Sequence, residues 1–132
     1  MKKFGLIGYP LEHSFSKTYF EKKFENEKLN NVSYNNYEID DLNKLKNIII
    51  DNPELVGLNV TIPYKEKIIS FLDELDETAR KIGSVNTIKI LDGKLIGFNT
   101  DYLGFKYSLL NWKLSINNIS ALILGTGGSS KA

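Results

Sequence analysis

The stretch TIKILDGKLIGF (residues 87–98) constrains this chain more than any other. Two apolar runs flank Asp92-Gly93, a pair suited to a two-residue turn in which both φ angles are positive. The stretch therefore predicts a β-hairpin. The rest of the chain alternates short strand-like runs with helical ones. KFGLIG (about 3–8), VSYNNYEI (32–39) and ELVGLNVT (54–61) read as strands. SKTYFEKKFENEKL (16–29) places Phe20 and Phe24 on one helical face. DLNKLKNIIIDN is a second helix opened by Asp40 or Asp41, and PYKEKIISFLDEL a third with Pro63 in its first turn. DETARKI and DYLGFKYSLLNW are further helices, and ISALILG (119–125) is a last strand after the linker-like KLSINN (113–118). Alternating βα units with one hairpin predict an α/β fold: a mixed, mostly parallel sheet with helices on both faces.

Composition narrows the class. The 132 residues carry 17 Lys plus Arg against 16 acidic side chains, so bulk charge gives no reason to expect nucleic acid or an acidic membrane as partner. The absence of cysteine rules out disulfides and thiolate metal sites and suits a reducing cytoplasm. MKKFGLIGYPLEHS has a basic lead, but Gly8, Pro10 and Glu12 break its apolar run, which makes it a poor signal peptide. No later run is long enough to span a membrane.

In open α/β sheets ligands sit beyond the carboxyl ends of the strands. Ser14 and Ser16 follow the first strand; Asn59, Thr61 and Lys65 end or follow the third. With Asp92 and Gly93 as the loop, Leu91 faces Lys94, and counting back sets Asn86 opposite Asn99, with Asp101 two residues further on. Four segments thus converge on one edge. Each residue also has an ordinary reading. The serines and Asp101 suit helix starts, and the asparagines suit a hairpin. Lys65 is less easily explained away, because a cation in a first helical turn opposes the helix dipole. His13, the single histidine, precludes multi-histidine metal sites and suits loop packing.

The combination is more specific than its members. NVTIPYK (59–65), SVNT (84–87), GFNTDYLG (97–104) and GYPLEHSFS (8–16) occur in the order and with the spacing of the shikimate dehydrogenase family, which this chain resembles along its whole length. The resemblance implies that Ser14 and Ser16 bind a substrate carboxylate and that Asn59, Thr61 and Asn86 bind ring hydroxyls. It implies that Lys65 and Asp101 are the catalytic pair, with Asp101 also touching substrate. The implied reaction is reduction of 3-dehydroshikimate to shikimate by NADPH, with no metal. Two positions depart from the family pattern: Lys17 replaces the common proline after the second serine, and Tyr64 replaces the common histidine before the lysine.

Gly125, Gly127 and Gly128 with Ala132 match the family's glycine turn, G-x-G-G-x-x-x-A, and are the cofactor-binding candidates. The division implied is a substrate-binding and catalytic domain over 1–112, followed by linker, first strand and glycine turn of a dinucleotide-binding domain over 113–132. The expectation is an N-terminal fragment, inactive alone as a dehydrogenase. Its orphaned ISALIL strand should fray, pack back, or pair with a second copy as a homodimer. Two other readings stand beside this one. Quinate dehydrogenases share nearly all these residues, although Ser16, where quinate users often carry threonine, favours shikimate. A non-catalytic shikimate-binding module would need no cofactor.

Overall fold

The computed structural model describes residues 1–112 and 120–132, so KLSINN and Ile119 lie outside the described residues. Strands β1 (Lys2–Gly8), β2 (Val32–Glu38) and β3 (Leu55–Val60) run parallel, with β1 between the other two. β5 (Thr87–Leu91) reverses direction against β3, and β6 (Lys94–Phe98) reverses again against β5. The two-residue β4 (Glu74–Leu75) pairs parallel with β6, giving the sheet order β2-β1-β3-β5-β6-β4.

Alternation along β1 sends neighbouring side chains to opposite faces. Leu6 points to one face, where it joins Leu11 and Tyr34 beneath Phe20 and Phe24 of helix α1 (Ser16–Asn26). Ile7 points to the other. There it enters the larger core with Leu45 of helix α2 (Leu45–Asp51), Leu58, Ile68, Val85 and Ile88. Asp41 accepts from Asn43 N–H to open a 3-10 turn (Leu42–Lys44) ahead of α2. Asp76 caps helix α3 (Glu77–Ile82) through Thr78 and Ala79 N–H, and Gly83, with φ +70°, ends it. Helix α4 covers Asp101–Asn111.

The hairpin has the expected register, Leu91 facing Lys94, with Asp92 and Gly93 at φ 51° and 78°. Two other expectations fail. PYKEKIISFLDEL is not one α-helix: residues 63–66 are turn and irregular backbone, Lys67–Phe71 is a 3-10 helix, and Glu74–Leu75 is strand β4. The Lys65 carbonyl, which Ile69 would need in an α-helix, accepts instead from Val85 N–H at 2.7 Å. Ile69 N–H turns to Glu66 O at 3.3 Å, the tighter 3-10 pattern. Of the expected last strand, residues 120–125 adopt no regular structure. Leu122, Ile123 and Leu124 are 84, 68 and 87% exposed. A strand exists only through a neighbour's ladder, and among the described residues no strand pairs with this one. The glycine turn does lead into a helix, the single turn α5 (Gly128–Lys131).

Candidate active site

The edge is assembled by the reversal of β5. Because β5 runs antiparallel to β3, its first residues stand beside the last residues of β3, and Asn59 pairs with Thr87. Val60 N–H donates to Asn86 O at 2.8 Å, and Asn86 N–H to Phe98 O at 3.0 Å, which stitches three segments together. Lys65 is held by the bond from Val85 to its carbonyl. The side chain of Lys65, 15% exposed, then reaches Asp101 at the head of α4, Nζ to Oδ2 at 2.7 Å.

Asn86 binds the other carboxylate oxygen. Its Nδ2 donates to Asp101 Oδ1 and to Thr100 Oγ1, both at 2.8 Å. Its Oδ1 accepts from Thr100 N–H at 2.9 Å and from Thr87 Oγ1 at 3.0 Å. Both amide hydrogens and both carbonyl lone pairs are thus committed within the protein. Asn59 donates through Nδ2 to Thr87 Oγ1 at 3.3 Å and accepts from the Tyr34 hydroxyl at 2.8 Å, keeping one amide hydrogen. Lys65 likewise keeps one donor, since its second goes to Ser129 Oγ at 2.9 Å. Asn99 does not join the cluster. It donates to Ser84 O at 2.9 Å and accepts from Tyr102 N–H, which makes it a support for the start of α4.

Ser14, Ser16 and Thr61 line a cavity of about 510 Å³ with Leu6, Tyr9 and Phe15. Ser14 Oγ also accepts from Ser16 N–H at 3.4 Å, a weak local turn. His13 is exposed on the same rim. Burial pushes the Tyr34 phenol up to about 12, and the nearby Ser16 side chain offsets this in part. Tyr34 therefore stands between the serine loop and the amide cluster. Tyr64, the departure noted in the sequence, turns away from the edge. It is buried and donates to Ile39 O at 2.7 Å, and burial raises its phenol above the ordinary value.

The glycine turn faces the lysine. Gly125, Gly127, Gly128 and Ser129 line a space of about 450 Å³ with Ile62, Pro63, Lys65 and Glu66. A Cβ at Gly128 would lie 2.6 Å from Lys65 Cβ and 2.6 Å from Ser84 Oγ, so only glycine permits this approach. At Gly125 and Gly127 a Cβ would meet nothing within 4 Å. Lys131 pairs with Glu66 at 2.5 Å. Among the described residues no group of three or more His, Asp or Glu side chains could hold a metal ion. None of the helices described is long and apolar enough to cross a membrane.

Residues 6–88 match the family model for the shikimate dehydrogenase substrate binding domain. The chain belongs to the shikimate dehydrogenase family. A shikimate dehydrogenase (NADP(+)) of Methanococcus vannielii is 45% identical over 97% of this chain, which covers 45% of that protein. The crystal structure of shikimate dehydrogenase 1 from Peptoclostridium difficile superposes with a TM-score of 0.91 at 40% identity, over 99% of this chain and 50% of that one. A Thermus thermophilus shikimate 5-dehydrogenase, solved in complex with NADP(H) and shikimate, gives 0.85 at 32% identity over 99% and 49% of the two chains. The chain thus spans about half the length of the shikimate dehydrogenases it matches.

Of the residues singled out in the sequence, Lys65, Asp101 and Asn86 are in direct contact, and Asn59 joins them through Thr87. Ser14, Ser16 and Thr61 share the neighbouring cavity. Tyr34, Thr87, Thr100 and Ser129 went unnoticed. An aromatic in a strand reads as core, and threonine is an ordinary strand residue. Their polar bonds follow from register, which a single strand does not reveal.

Proposed function

We propose that this chain carries the shikimate-binding and proton-handling half of an NADP-dependent shikimate dehydrogenase, with 1–112 as the substrate domain and 113–132 opening the cofactor domain. The observation that carries this is the Lys65–Asp101 pair at 2.7 Å, placed beside hydroxyl and amide groups that still have hydrogen-bonding capacity. The 3-dehydroshikimate ring offers a carboxylate, two hydroxyls and a carbonyl. Ser14 and Ser16 hydroxyls donate to the carboxylate, while Thr61 and the remaining Asn59 amide hydrogen take ring hydroxyls. Asn86, its own capacity spent, orients Asp101, which accepts from a neighbouring hydroxyl.

Lys65 acts at the carbonyl oxygen. Its ammonium stabilises the charge that develops there and delivers the proton, while Asp101 holds Nζ in place. In the reverse direction Lys65 takes the proton from the same hydroxyl. The residues fit a nicotinamide dinucleotide: the open faces of Gly125 and Gly127 and the space beside Lys65 allow the backbone of the turn to approach a pyrophosphate. NADP bound there supplies the hydride chemistry. The absence of cysteine suits a cytoplasmic enzyme.

The test is calorimetric titration of the 132-residue chain with shikimate and with quinate. Saturable shikimate binding, weakened by several kcal/mol at most in the folded Ser14→Ala/Ser16→Ala double variant, is expected, because each neutral donor to an anion is worth ~1.5–3 kcal/mol. Unchanged affinity in the double variant removes the serines from the carboxylate site. Tighter binding of quinate than of shikimate would reverse the choice of substrate.

A further inference from the structure

The polarity of the amide cluster can be derived from its ends. Lysine only donates and an ionised aspartate only accepts, so Asn86 must present Nδ2 to Asp101 Oδ1. The Thr100 backbone N–H only donates, so Asn86 Oδ1 must accept from it at 2.9 Å. Thr87, 3.0 Å from the same Oδ1, has then to give its hydroxyl hydrogen to Asn86. Its oxygen is left to accept from Asn59 Nδ2, so Asn59 Oδ1 faces Tyr34, which must donate. Every bond in the series points the same way, from Tyr34 through Asn59, Thr87 and Asn86 to Asp101.

Tyr34 is built to end that series. It is 3% exposed, on the α1 face of the sheet. Its ring stacks on Phe20 with centroids 4.5 Å apart and planes 13° from parallel. Asn59 lies on the same face, sharing a row across the sheet with Leu6 and Thr87. The tyrosine hydroxyl is the one protein donor reaching Asn59 Oδ1 among the described residues. Without it the series still runs from Thr87 to Asp101, but only the longer 3.3 Å bond to Thr87 is left to hold the Asn59 amide in this orientation.

We propose that Tyr34 is a positioning residue for substrate recognition: its hydroxyl fixes the Asn59 amide so that the uncommitted N–H, rather than the carbonyl, is offered to a ring hydroxyl of the ligand. The proposal rests on the shikimate reading of the site for its ligand and on the hydrogen-bond series for its mechanism. Tyr34→Phe removes one oxygen and keeps the Phe20 stack.

The experiment combines a double-mutant cycle with side-chain amide NMR on the 132-residue chain. Tyr34→Phe is expected to weaken shikimate binding about five- to tenfold, the worth of one neutral hydrogen bond. In an Asn59→Ala background the same change should have no effect, because the group it positions is gone. The Asn59 NH2 pair, identified by its disappearance in Asn59→Ala, should shift in Tyr34→Phe. Equal shikimate affinity in wild type and Tyr34→Phe overturns the proposal, as does an equal loss in both backgrounds, which marks an effect on the fold. If the wild-type chain binds no shikimate, the functional reading fails. The NMR then decides on Tyr34 alone, and an unmoved Asn59 pair overturns it. Should Tyr34→Phe not fold, Thr87→Val cuts the next link with Tyr34 in place. It must move the same NH2 pair, and an unmoved pair overturns the series.

Discussion

Asn86→Ala removes the residue on which the edge converges. The side chain makes four hydrogen bonds, three to neutral groups and one to the Asp101 carboxylate. At ~1 kcal/mol for each neutral bond and ~1.5–3 kcal/mol for the charged one, the gross loss is about 5 kcal/mol. Asn86 is 9% exposed, so water can reach the gap and restore part of this, which leaves an expected loss of about 3–4 kcal/mol. That is a large share of the ~5–15 kcal/mol that holds a domain of this size together. Urea unfolding followed by far-UV circular dichroism measures it. Asn86→Asp supplies the electrostatic control. It keeps both acceptor contacts but sets a second carboxylate against Asp101 Oδ1, which raises the pKa of the pair in the folded state. A raised carboxyl pKa contributes stability that is present at low pH and lost as pH rises through the folded value. The deficit of Asn86→Asp should therefore be greatest at neutral pH and narrow on acidification toward about 4, while that of Asn86→Ala changes less. A loss below about 1 kcal/mol in Asn86→Ala would refute the bond count, and equal pH profiles for the two variants would refute the carboxylate contact.

Tyr34, raised to about 12, should add a late phase to a spectrophotometric titration that Tyr34→Phe removes. Because the unfolded phenol ionises near 10, its contribution is complete below that pH and lost between about 10 and 12; Tyr34→Phe should flatten that part of the stability profile. Ile88→Ala, at a fully buried site, should cost ~2–5 kcal/mol in the same denaturation assay, and a loss under about 1 kcal/mol would mean a looser core. Gly97→Ala should cost ~1–3 kcal/mol by overpacking, since a Cβ there lies 2.6 Å from Leu72, 2.8 Å from Leu75 and 2.9 Å from Val85. Unchanged stability would show that these side chains yield freely.

What the sequence revealed was local or dense. Asp92-Gly93 admits one two-residue turn, and the turn sets the register that brings Asn86 toward Asp101. Lys65 stood out because its charge is misplaced for the helix it was expected to start. That helix is the instructive failure. The segment has helical spacing, but the Lys65 carbonyl is claimed by Val85, twenty positions along the chain, and no local pattern reports such a bond. The 119–125 run has strand composition, yet composition supplies no partner ladder. Tyr34 was invisible for the opposite reason: its ring meets every expectation of a core residue, and its function rests on a single oxygen.

The hairpin brings its open end to the site and its turn away from it. The five residues of β5 lie between Asn86 and Asp92, which puts them about 20 Å apart at ~3.4 Å per residue. The open end is closed by Asn86 N–H to Phe98 O and clasped from outside the hairpin by Val60 and Asp76 through backbone bonds to Asn86 and Gly97. The exposed turn is thus a handle, where a fluorophore, an affinity tag or a surface anchor could be spliced between Asp92 and Gly93 while the far end stays clasped.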